Sequence, residues 1–316
     1  MKKFWLLIIT IVFISINLFA QRTLPTIDHF DYSLGELRSV GTDWSRISGS
    51  INDLNVVTGN LTYTNYPMSA TGNQIQISSS GADDDKLTFT SQSTAGTKIY
   101  ASFLVNITNS TGLSTGNYFA ALGNGTSGYI TRLYIRIDTN PSGFNFGIAR
   151  NSTTVVEWSS IRNFGQTYLV VLGYEIVEGT SNDIARIWID PDLGGTEPNA
   201  TLTDAGTSSD GTIDGFFIRQ SSGTPNANID ALRVATSWAE APLPVELTSF
   251  SAATIGSTVK LSWNTATEVN NYGFEVERKT KDEKSKTWEK IGFVNGNGNS
   301  NSPKDYSFVD DFAGKP

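Results

Sequence analysis

Between residues 99 and 189, apolar side chains recur at every second position in run after run. That period limits what the chain can become. Ile99, Ala101, Phe103, Val105 and Ile107 share one face of an extended segment, and Tyr129, Thr131, Leu133, Ile135 and Ile137 share one face of another. Phe144, Phe146 and Ile148 follow, then Ala185, Ile187 and Ile189. A period of two belongs to a strand with one buried face, because successive side chains point to opposite sides of the pleat. Residues 168–177, YLVVLGYEIV, are apolar on both faces and read as a central strand. Gly- and Asn-rich turns separate the runs, and no stretch carries three turns of amphipathic helix. So many strands in one segment predict an all-β fold, with two sheets packed as a jelly-roll sandwich.

Composition narrows the partners. Aromatics reach 11%, too many for a disordered chain. The formal net charge is −8, so nucleic acid and anionic membrane surfaces are poor partners. There is no cysteine, which removes disulfides, thiolate metal sites and a cysteine nucleophile.

Residues 1–20, MKKFWLLIITIVFISINLFA, read as a cleaved secretory signal. Lys2 and Lys3 lead a short apolar run, and Ala20 suits cleavage. The run is short for a membrane span, and no basic stop-transfer cluster follows it. The expected compartment is therefore outside the cytoplasm, with no membrane span after cleavage. Near residue 241 the chain changes character. Pro242 and Pro244 remove backbone donors and fix φ, which predicts a stiff joint between a module at 22–241 and a second at 242–316.

The alternation also suggests a binding face. If the apolar sides point inward, Arg132, Tyr134 and Arg136 point out from one strand, and Arg186 and Trp188 from another. Exposed aromatic rings cover the apolar side of a sugar, while arginine grips oxygens bidentately. The plainer reading is an ordinary solvated face. Asp83, Asp84 and Asp85 follow Gly81 in an expected turn, and clustered carboxylates there could hold calcium, as could Asp190 with Asp192. The spacing is not that of an EF-hand loop, and a plain exposed turn is the simpler reading. GNGTSG at 123–128 fits GxGxxG, but a strand follows it rather than a helix, so it reads as a β-turn. His29 is the only histidine, so a Ser–His–Asp triad would have to use it. The strand acids Glu175 and Asp190 are isolated in sequence. NxS/T sequons, as at Asn60 and Asn106, arise from composition and are not read as glycan sites.

Several blocks in order carry a resemblance: FDYSLG (30–35), NYPMSATGN (65–73), YASFLVN (100–106), GNYFAALG (116–123), FNFGIAR (144–150), TYLVVLGYEIVEGTSND (167–183), WIDPDLGGTEPNAT (188–201) and IDALRVATSW (229–238). Together they resemble the concanavalin A/laminin-G-like module of secreted bacterial proteins. That resemblance implies a fold shared by lectins, adhesion modules and glycoside hydrolases. It also implies that structural calcium is common, and that hydrolases carry ExDxxE on one strand, a pattern missing here.

Beyond the joint, VELTSFSAA, TVKLSWNTA, NYGFEVERK, WEKIGFVNG and DYSFVDD read as strands. Leu261 and Trp263 lie on one face with Val259, while Tyr272, Phe274 and Val276 point inward. NGNG at 295–298 reads as a turn, and the charged stretch before Trp288 as a solvated hairpin. The segment resembles a fibronectin type III-like (immunoglobulin-like) module, of the kind that precedes the sorting domain in type IX secretion substrates. A complete sandwich of this kind needs two further strands. The expectation is a fragment of a longer protein, with an open edge and part of the core exposed.

The function expected is non-enzymatic: binding an extracellular polysaccharide or glycoconjugate, or adhesion. One alternative is an accessory region of a larger secreted hydrolase or nuclease. Another is a catalytic sandwich built on scattered carboxylates.

Overall fold

The alternating runs become strands. In the computed structural model they are β1 (Thr26–Asp28), β2 (Gly35–Glu36), β3 (Trp44–Ser48), β4 (Asn55–Val57), β5 (Gln74–Ile77), β6 (Asp84–Gln92), β7 (Lys98–Asn109), β8 (Asn117–Asn124), β9 (Gly128–Ile137), β10 (Gly143–Arg150), β11 (Glu157–Trp158), β12 (Arg162–Asn163), β13 (Thr167–Glu175), β14 (Ile184–Ile189), β15 (Leu202–Asp204), β16 (Ile213–Arg219) and β17 (Asn226–Ala235). A four-residue helical turn, α1 (Leu37–Val40), lies between β2 and β3. The structure describes residues 21–49, 54–64, 66, 72–125, 128–138, 143–192, 196–238, 240–241, 247–256, 258–265, 268–279, 288–300 and 302–311. The expected leader, Pro242 and Pro244 of the joint, and the side chain of Tyr272 fall outside the described residues.

Strands β15-β14-β13-β7-β17-β5-β4-β2 run in that order through a nine-stranded sheet, with β1 also paired to β17. Strands β11-β10-β9-β8-β16-β6-β3 form an eight-stranded sheet, with β12 paired to β10. Neighbours distant in sequence, β7 beside β17 and β8 beside β16, are antiparallel crossings of a jelly-roll sandwich. One core joins the facing sides: Phe103, Val170 and Ile187 from the first sheet meet Phe119, Leu133, Phe146 and Phe216 from the second. Phe103 and Phe216 touch across the gap, their ring centroids 5.3 Å apart. Each such ring contributes about 1.5–3 kcal/mol by leaving water.

The double-faced strand behaves as its sequence predicts. Val170 and Leu172 of β13 enter the main core, while Leu169 and Val171 enter separate clusters on the outer side of the same sheet. In β9 the period holds for Leu133 and Ile135 and then breaks. Pairing with β8 shifts between Leu122↔Thr131 and Gly123↔Tyr129, so Ile130 is an extra residue. Ile130 enters the core, and Tyr129, expected inside, turns to the outer cluster with Ala121 and Phe217. A second shift in β8, between Tyr118 and Ala120, brings Tyr118 opposite Tyr134. A bulge adds one residue to one strand and re-aims its neighbours.

The remaining strands are β18 (Leu247–Ile255), β19 (Thr258–Thr265), β20 (Glu268–Arg278), β21 (Glu289–Ser300) and β22 (Lys304–Asp310). They form a sheet β18-β19-β22 and a pair β20-β21. Trp263, Val276 and Tyr306 are the buried centre, with Leu261, Phe274 and Phe308 against them. The indole of Trp263 stacks on Tyr306 at 5.7 Å. The expected NGNG turn is corrected: residues 295–298 lie inside β21, where two register shifts against β20, at Glu268/Asn271 and Asn271/Gly273, fall. Phe250 is 60% exposed, and an apolar groove of about 270 Å³ opens between Phe250, Leu261, Trp263, Phe274 and Val276.

Candidate functional site

Arg132, Tyr134 and Arg136 lie on β9 away from the shared core, on the outer side of the eight-stranded sheet, while Arg186 and Trp188 lie on β14 in the nine-stranded sheet. The two sheets face each other through the core, so these outer sides are opposite sides of the sandwich. The five residues expected as one face are two separate groups.

The β14 group is covered. Trp188 is 1% exposed, which corrects its expected exposure. Its ring lies across Gly173, where an added Cβ would come 2.6 Å from Trp188 Cζ3. Trp238 at 4.9 Å and Tyr100 at 5.8 Å pack against it, and its Nε1 donates to the Pro198 carbonyl at 2.9 Å. Ser102 Oγ donates to the carbonyl of Ala241, which ties the turn after Trp238 down over the sheet. Arg186 is spent in an ion pair with Glu175 at 2.5 Å.

The β9 group is different. Tyr134 is itself only 5% exposed, so its expected exposure is also corrected, but what covers it is a half-buried layer of rings and guanidiniums. Tyr118 is the hub. Its ring lies 5.4 Å from Tyr134 and 5.2 Å from Tyr129. The Arg132 and Arg219 guanidinium carbons lie over that ring at 5.1 and 4.4 Å. Arg136 sits 4.2 Å over the ring of Trp158, which crosses Gly147 from β11, where an added Cβ would meet Trp158 Cε3 at 2.7 Å. Such cation–π contacts hold a guanidinium flat without neutralising it.

Backbone and amide oxygens complete the anchoring. Arg132 donates from Nε to the Tyr129 carbonyl and from Nη1 to the Ser152 carbonyl, both at 2.8 Å. Arg136 Nε donates to Asn145 Oδ1 at 3.1 Å. At the far side of the face, Lys86 Nζ pairs with Asp214 at 2.5 Å. Burial, then Asp84, push the Tyr129 hydroxyl well up from its ordinary pKa, so it stays a donor to Asp84 at 2.9 Å. Tyr118, Trp158 and Arg219 were not singled out from sequence. Tyr118 and Tyr129 depend on the two bulges, and Trp158 lies on a two-residue strand too short for a period to show.

The aspartate run is not an exposed turn. Asp83 and Asp85 are 0% exposed and Asp84 is 7% exposed. Asp83 accepts from Arg46 Nε at 2.7 Å and Arg38 Nη2 at 3.2 Å, and Asp85 faces Arg38 Nε at 3.1 Å. Asp84 accepts from Ser48, Tyr129 and the Gln220 amide. Calcium prefers carboxylate oxygens not already neutralised, so this arginine-filled cluster does not fit the ion. Asp190 Oδ1 accepts from the Leu169 amide at 3.1 Å, and Arg162 stands 3.8 Å from Oδ2. Among the described residues no group of three or more His, Asp or Glu side chains is placed to hold a metal. His29 is half-buried, and burial lowers its pKa. Gly123 to Gly128 join β8 to β9, so GxGxxG is a hairpin connection, with 126–127 outside the described residues.

No protein-family model matches the chain, and no curated protein does. Among solved structures it is similar to a sialidase at TM-score 0.39 and 10% identity, over 66% of this chain and 19% of that one. It is similar to the metal-free carbohydrate recognition domain of Emp46p at TM-score 0.39 and 9% identity, over 66% of this chain and 95% of that one. A third likeness is the carbohydrate binding module CBM66 from Bacillus subtilis, at TM-score 0.34 and 12% identity, over 68% of this chain and 98% of that one.

Proposed function

We propose that this chain is a secreted, non-catalytic binding protein whose eight-stranded sheet takes an extracellular glycan on its outer side. The observation that carries the reading is the platform around Tyr118: rings and guanidinium planes from the four strands β8, β9, β11 and β16, with N–H groups left for a ligand among the described residues. A shallow face of rings and forked donors suits a chain of hydroxyl-bearing rings lying across it. The leader supports export, and the core clusters support two modules: one core draws on residues 30–234, the other on residues 261–308. The second module is read as the fibronectin-like spacer of a type IX secretion substrate. The absence of catalysis is part of the proposal. Its support is that the strand acids Glu175 and Asp190 are held separately, one by Arg186 and the other by the Leu169 amide.

The test is a glycan and polysaccharide binding screen of residues 21–316. Specific binding is expected, falling tenfold or more in Tyr118→Ala and unchanged in Arg186→Gln on the opposite side. A screen without binding, or binding indifferent to Tyr118, removes the reading.

A further inference from the structure

The chain carries more acidic than basic residues, 31 against 23. Its arginines accordingly find carboxylates. Among the described residues, every arginine apart from Arg132, Arg136 and Arg233 stands within 3.8 Å of one. Arg233 is sealed inside the other sheet's outer side and reaches no ligand. Arg132 and Arg136 are half-exposed neighbours on one strand face. Four residues apart on a strand, their Cα atoms are about 13 Å apart, with Tyr134 between them.

Two like charges on one strand face with no ion pair among the described residues cost energy, and this acidic protein has carboxylates to spare. Here both are propped by rings and neutral oxygens instead: Trp158 and Asn145 for Arg136, and Tyr118 with two backbone carbonyls for Arg132. Neutral acceptors fix the orientation of a guanidinium and leave its charge in place. Arg136 keeps both Nη groups without a hydrogen bond among the described residues, and Arg132 keeps Nη2. Free Nη groups on a held guanidinium form the fork that matches a carboxylate or sulfate. On the neighbouring strands Asp84 is held by Tyr129 and Ser48, and Asp214 by Lys86.

We propose that the ligand of this face is an anionic polysaccharide, its acidic groups received by Arg132 and Arg136. The proposal rests on the glycan reading above and adds the charge. Attraction between separated charges weakens with ionic strength, whereas ring stacking does not.

The experiment is calorimetric titration of residues 21–316 with polygalacturonate, and with the same polymer methyl-esterified so that backbone and length are kept and the carboxylates masked. Dextran sulfate against dextran repeats the comparison for sulfate. The expected result is binding to the acidic member of a pair, at least tenfold weaker for its neutral counterpart and progressively weaker with added NaCl. Arg136→Gln should lower affinity tenfold or more, and Arg132→Gln by less, since fewer of its donors are free. The double Arg→Lys variant keeps the charge but loses the fork, so it covers the case in which a Gln variant fails to fold. Its affinity should fall while salt sensitivity remains. Equal, salt-insensitive binding of the esterified polymer, lost in Tyr118→Ala, would overturn the anionic proposal and leave the glycan reading standing. Polyanion binding that no arginine variant changes would overturn it as non-specific attraction elsewhere on the molecule. Failure to bind any polymer, acidic or neutral, would end both.

Discussion

Trp188 on β14 and Trp158 on β11 are placed alike and fare differently. Each crosses a glycine of the neighbouring strand, Gly173 or Gly147, on the side of its sheet that faces away from the shared core. Trp188 then disappears beneath Trp238, Ala241 and Tyr100, whereas Trp158 stays half-buried with Arg136 over its ring. The nine-stranded sheet is roofed by the chain that follows β17 and by Leu61 and Tyr66. The eight-stranded sheet keeps its platform at the surface. The same residue types at the same strand period therefore give core on one side and a candidate site on the other, and the difference lies in which segments return across each sheet.

The largest expected effect tests the roof. Trp188→Ala should cost about 3–5 kcal/mol, the range for removing a large buried aromatic. Chemical denaturation measures it, and the folded fraction should bind ligand as the parent does. A loss below about 1 kcal/mol would mean the roof contributes little, and the contrast between the sheets would collapse.

A second test uses the titratable group that the roofed side buries. Asp230 is 0% exposed and accepts from the Leu61 and Ala231 amides, yet burial outweighs those bonds and pushes its carboxyl up to about 7. A carboxyl whose folded pKa lies above the unfolded value takes up a proton on folding. Its stabilising share is complete below the unfolded value of 3.8 and is lost as pH rises through about 7. Relative to Asp230→Asn, the parent should lose on the order of 4 kcal/mol across that window. Denaturation at several pH values would show it, and parallel profiles for the two proteins would refute it.

The smallest expected effect on stability is on the open side. Trp158→Ala removes a half-buried ring and should cost only about 1 kcal/mol. It should nonetheless weaken ligand binding severalfold, because Arg136 loses the surface that holds it flat. A large stability loss without a binding change would make Trp158 another roofed residue and erase the comparison.

The sandwich itself was legible. Ile99 to Ile107, Phe144 to Ile148 and Ala185 to Ile189 sit where their period placed them, because a pleated strand allows a residue only two directions. YLVVLGYEIV was legible as doubly covered for the same reason. The platform was legible in part: Arg132, Tyr134 and Arg136 were found by alternation, while Tyr129 was assigned to the wrong side because one extra residue at Ile130 reverses everything before it. Trp188 and Arg186 were assigned to the right side of their strand and wrongly to the same face as β9. Asp83 to Asp85 looked like an open turn because nothing local announces Arg38 and Arg46, which come from more than 35 residues away.

Local pattern by itself determined that this chain folds into a β-sandwich, which residues fill the shared core, and which side chains turn away from it. Those properties follow from steric rules acting over two to ten residues. Only the tertiary structure decided which outward-facing residues are outside. That depends on strand order, on two bulges, and on where the chain after β17 lies, all long-range pairings of burial and charge that no short window contains.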